Sequence, residues 1–110
     1  MNGRFTELTR FIPILNSECL FELIDAVYEF DEKNPEMGLH DYKEILEANG
    51  IAWDADSMEG ADVSKLDAKA IFALLMGAIR ADRFCDGALT SFLENGAILR
   101  WLERLKEIDG

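Results

Sequence analysis

The stretch Arg80-Ala81-Asp82-Arg83-Phe84-Cys85-Asp86-Gly87 concentrates polar chemistry directly after an apolar segment. Arg80 and Arg83 stand three residues apart, the spacing of one helical face, close to a helix start expected at Asp86-Gly87. Two guanidiniums beside free backbone N–H groups are the ingredients of a phosphate or carboxylate site. Cys85 would then be a reactive thiol, favoured by positive neighbours and a helix N-terminus. A purely structural reading competes. Arg83 complements the dipole of a helix C-terminus, Asp86 caps the next helix, and Phe84 and Cys85 fill a tight corner that needs something small at Gly87. The capping rules favour this second reading, because it employs every residue without a ligand. Arg80, Arg83, Cys85 and Asp86 are therefore the candidate ligand-binding residues; no catalytic residue and no metal ligand is assigned, and no cofactor is implied.

Other constellations carry less. Cys85 and His40 are the types of a nucleophile and base, but half the chain separates them, and no orienting group or oxyanion donor can be named. Asp54-Ala55-Asp56 copies the first and third ligands of a calcium loop. The copy then fails, with Met58 at the fifth position, Glu59 at the sixth and Lys65 at the twelfth, so a capped turn or short helix is the better reading. One histidine and no Cys-x-x-Cys leave no zinc pattern. Arg100 and Arg104 lie one turn apart on the second of two helices joined at Asn95-Gly96, as in a helix-turn-helix. Residues 97–109 hold three bases and three acids, however, and a packed helical hairpin is the preferred reading.

The elements that must position these residues are helical. Phe5, Leu8, Phe11, Ile12 and Leu15 recur at helical spacing about a cap at Thr6, and Pro13 should kink or end this helix. Leu20, Leu23, Ile24, Val27 and Tyr28 define one stripe of a helix over Glu18 to Phe30. A third helix, Asp41 to Asn49, opens on a capping box of Asp41 and Glu44 and closes at a left-handed Gly50. The stretch from Asp54 to Lys65 is the least regular. The run from Ala70 to Ile79 is apolar on every face, which predicts a buried central helix over Asp67 to Arg83. A short helix capped by Asp86 carries Leu89, Phe92 and Leu93, and a last one carries Ile98, Trp101, Leu102, Leu105 and Ile108. The expectation is an all-α single domain over residues 1–110: a compact bundle of about six helices around a buried helix near residues 67–83.

Charge limits the partners. The net charge of −11 sits wholly in the first part of the chain, where Met1 to Asp67 hold 16 acids and five bases, while Ala68 to Gly110 hold six of each. Such a surface repels phosphate backbones, which argues against nucleic acid. The apolar run is half the length needed to cross a bilayer, and two cysteines in 110 residues fit a reduced, cytoplasmic protein.

Arg80 to Leu89, Glu94-Asn95-Gly96 and Arg100-Trp101-Leu102-Glu103-Arg104-Leu105-Lys106 together resemble a known family, the domain of unknown function numbered 6508. The likeness extends to Leu8-Thr9-Arg10-Phe11-Ile12-Pro13, Ala26-Val27-Tyr28, Tyr42, Glu44-Ile45-Leu46-Glu47 and Gly50-Ile51. It implies a small prokaryotic protein, a compact domain and a cytoplasmic address, and no catalytic residue. The family pattern has a longer stretch rich in Gly, Pro and aromatics where this chain has Asn16-Ser17-Glu18-Cys19. The leading functional expectation is a non-enzymatic interaction or regulatory module, with a basic protein partner or self-association. The alternative is a small protein or enzyme that binds an anionic ligand at the Arg80, Arg83, Cys85 and Asp86 corner.

Overall fold

Residues 70–79 form the middle of a 14-residue helix in which each of them is buried. The computed structural model describes residues 6–14, 17–83 and 87–109. Its helices are α1 (Thr6–Thr9), α2 (Leu20–Lys33), α3 (Tyr42–Ala48), α4 (Ala55–Glu59), α5 (Ala68–Ala81), α6 (Ala88–Glu94) and α7 (Ala97–Asp109). Short 3-10 turns lie in the connections, and no strand occurs among the described residues. The central helix α5 packs against α3, α7, α6 and α2, and α1 lies against α7 and α2. The architecture is all-α around one core, as the apolar run implied.

Aromatic contacts tie the outer helices to α5 and to each other. Phe30 of α2 stacks on Phe72 of α5, with centroids 4.1 Å apart and planes 7° from parallel. Phe92 of α6 packs on the fully buried Trp101 of α7 at 5.4 Å. Each such side chain withdraws an area from water that stabilises the fold by about 1.5–3 kcal/mol.

Helix ends follow local chemistry, with three departures from expectation. Asp67 Oδ1 accepts the Ala70 amide at 2.9 Å and starts α5. In the acidic stretch, Asp54 accepts the Ser57 amide at 2.7 Å to start α4, and Asp62 accepts the Ser64 hydroxyl at 2.6 Å and its amide at 3.2 Å. Those two Ser64 bonds hold the Asp62 carboxyl below its usual value. The sign follows: their stabilisation is present above the unfolded carboxylate range and fades as pH falls through the lowered value. The first departure is Asp41, which stands at the N-cap of α3 but makes no side-chain cap bond, because the 3-10 turn Leu39–Asp41 already leads the chain into the helix. The second is α2, which starts at Leu20 behind the 3-10 turn Ser17–Cys19 and runs on to Lys33, three residues past Phe30. There a Glu29–Lys33 pair at 2.8 Å and a bond from Asn34 Nδ2 to the Phe30 carbonyl at 2.9 Å extend it. The third is α5, which stops at Ala81 short of Arg83.

Gly50 does close α3 in the left-handed region at φ 75°. Its amide donates to the Glu47 carbonyl at 2.9 Å and the Ile51 amide to Leu46 at 2.9 Å, the double bond of a Schellman motif, with Leu46 and Ile51 both buried. Pro13 lies in a 3-10 turn beyond the end of α1. Phe5, Leu15 and the Thr6 side chain lie outside the described residues. Among the described residues no helix is long and apolar enough to cross a membrane.

Candidate functional site

Arg80 belongs to the last turn of α5, and it turns inward. Its guanidinium carbon lies 5.8 Å from the centre of the Tyr28 ring of α2. The Arg80 Nε–H and the Tyr28 hydroxyl are both buried and have no hydrogen-bond partner among the described residues. Arg83 lies beyond the end of α5 and is exposed, so the two arginines do not share one helical face. Between them, Asp82 Oδ1 accepts the Leu89 amide at 3.2 Å. The capping carboxylate of α6 is thus Asp82, seven residues back, while the N-cap position itself is Gly87. Gly87 has φ 87° with open space where a side chain would go, so conformation and not room requires a glycine there. Phe84, Cys85 and Asp86 lie outside the described residues, as does the His40 side chain, and with them the Cys85–His40 pair.

The two arginines of α7 are half-buried and bond back to the chain. Arg100 Nη2 donates to the Glu59 carbonyl at 2.8 Å and lies 3.6 Å from Glu59 Oε1; Arg104 Nε donates to the Leu66 carbonyl at 3.0 Å. They satisfy orphan carbonyls at the end of α4 and before α5, and so clamp the acidic stretch onto α7. α6 and α7 pack on each other as a hairpin. Trp53 has a comparable role that its surroundings in the chain do not announce. Its Nε1–H donates to the Gly77 carbonyl of α5 at 3.0 Å, Lys43 lies 4.2 Å from its ring, and Tyr42 meets it edge-on at 5.7 Å.

The outer face of α2 is different in character. Arg10, Glu22, Asp25, Ala26 and Glu29 line an open groove of about 480 Å³. Beside it, in the first turn of α2, Phe21 is 78% exposed.

A family model described as a family of unknown function, DUF6508, matches residues 6–110. The chain belongs to this family. No curated protein and no solved structure matches it. In this DUF6508 domain the residues that carried the resemblance are largely structural. Asn95 Oδ1 accepts the Ala97 amide at 2.9 Å to start α7, Gly96 takes the left-handed turn, and Arg100, Trp101 and Arg104 hold α7 in place.

Proposed function

We propose that this DUF6508 domain is a non-enzymatic interaction module whose acidic surface docks a basic protein partner. The reading rests on where its charges point. Arg100 and Arg104 are engaged by backbone carbonyls and Arg80 faces the Tyr28 ring, whereas Glu22 and Asp25 are exposed on one helix. Three positive charges are thereby held against the chain while these acids stay in solvent, and the net charge of −11 leaves the surface field negative. Charge of this kind steers a complementary partner and rejects like-charged ones.

The test is fluorescence anisotropy with a panel of Lys/Arg-rich amphipathic peptides and scrambled peptides of the same composition. Saturable binding to some members but not to their scrambled forms is expected, weakening about tenfold or more as salt rises from low to physiological strength. Uniform weak binding that ignores sequence, or none, overturns the reading.

One observation favours a second reading, a small anion bound at Arg80. Two buried polar groups without partners cost about 1–3 kcal/mol each, and an oxyanion accepts from both. Phosphate should then raise the melting temperature above that in chloride at equal ionic strength, and the rise should vanish in Arg80→Lys and Tyr28→Phe. Equal melting in the two salts removes this reading.

A further inference from the structure

We infer that the docking surface is the outer face of α2 centred on Phe21, and that its occupant is a basic segment of a partner protein whose lysines or arginines flank a large apolar residue. The inference rests on the interaction reading above and gives it a place and an anchor. Leu20, Leu23, Ala26, Val27 and Phe30 form the buried side of α2. Phe21 points away from that side and is the most exposed large apolar residue described, at 78% against 51% for Ile14. Its neighbours one turn away are Glu18 before it and Ile24 and Asp25 after it, and both acids are exposed. Among the described residues Phe21 takes no part in the core. An exposed aromatic with an acid one turn away on each side has the composition of an interface centre and its rim: aromatic anchors dominate binding energy, and nearby charges set partner and encounter rate.

Charge selects the occupant. A second copy of this chain would bring another net charge of −11 against this face, and a nucleic acid would bring phosphates; a basic segment is attracted to Glu18 and Asp25. The groove lined by Arg10, Glu22, Asp25, Ala26 and Glu29 runs along the flank of α2, between this outer face and the buried side.

The experiment is selection of a phage-displayed random peptide library on the intact protein. The selected peptides are then measured against wild type, Phe21→Ala and a Glu22→Gln/Asp25→Asn double variant, with amide shifts mapped by NMR. Basic peptides with a large apolar residue should emerge and perturb Glu18 to Glu29. Phe21→Ala should weaken them by about tenfold to 100-fold, and the double variant should slow association and flatten the salt dependence. Basic peptides that bind Phe21→Ala at full strength, or that shift amides elsewhere, overturn the location and leave the interaction reading standing. Uncharged or acidic peptides on α2 overturn the partner chemistry. A selection that enriches nothing basic anywhere overturns both.

Discussion

Replacing Phe72 with alanine should lower the free energy of unfolding by about 3–5 kcal/mol, whereas Phe21→Ala should change it by about 0.5 kcal/mol or less. The chemistry removed is the same and the surroundings are opposite. Phe72 has no exposed surface and stacks on Phe30, so its loss leaves a cavity at the seam of α5 and α2. Phe21 has most of its surface in water and leaves none. Urea unfolding followed by far-ultraviolet circular dichroism reads both. Equal losses would mean that Phe21 is held in the core and is not available to a partner.

Gly77→Val should cost about 2–3 kcal/mol. Even the first carbon of a side chain at Gly77 would lie 3.1 Å from Met58 Cε and 3.3 Å from the Trp53 ring. Met58 ends in a flexible methyl and can retreat. Trp53 cannot, because its Nε1–H is bonded to the Gly77 carbonyl at 3.0 Å and its ring is covered by Lys43. Alanine at this position should cost much less than valine, since the removal of a helix-interior glycine returns about 1 kcal/mol. The same urea titrations give the difference, and a Gly77→Val protein as stable as wild type would contradict this account of how Trp53 docks on α5.

What could be read in the chain and what could not divides by the distance over which each feature acts. The burial of α5 was legible because an all-apolar run has no polar face to turn outward, and the Gly50 closure was legible because it depends on residues within one turn. The Asp41 cap was expected on the same local grounds and is not made, because the 3-10 turn before it supplies the entry to α3. Arg100 and Arg104 looked like free bases on a helix surface. Their acceptors, Glu59 and Leu66, lie 41 and 38 residues earlier, and only the packing of α7 brings them together. Tyr28 beside Arg80 was missed for the same reason, whereas Asp82 reaches the start of α6 across a corner of only seven residues. At the corner, the three-residue spacing of Arg80 and Arg83 suggested a shared face, but α5 ends between them and sends one inward while the other stays in solvent.

The central claim is that Arg80, Arg100 and Arg104 are held against the chain while the acids of α2 face outward. Paired cationic and anionic paramagnetic cosolutes measure this directly, since their relative effects on each amide report the potential near that residue. The account predicts strong preferential broadening by the cation from Glu18 to Glu29 and little preference for either along Arg100 to Arg104. Preferential broadening by the anion along α7, with no cationic preference on α2, would contradict it.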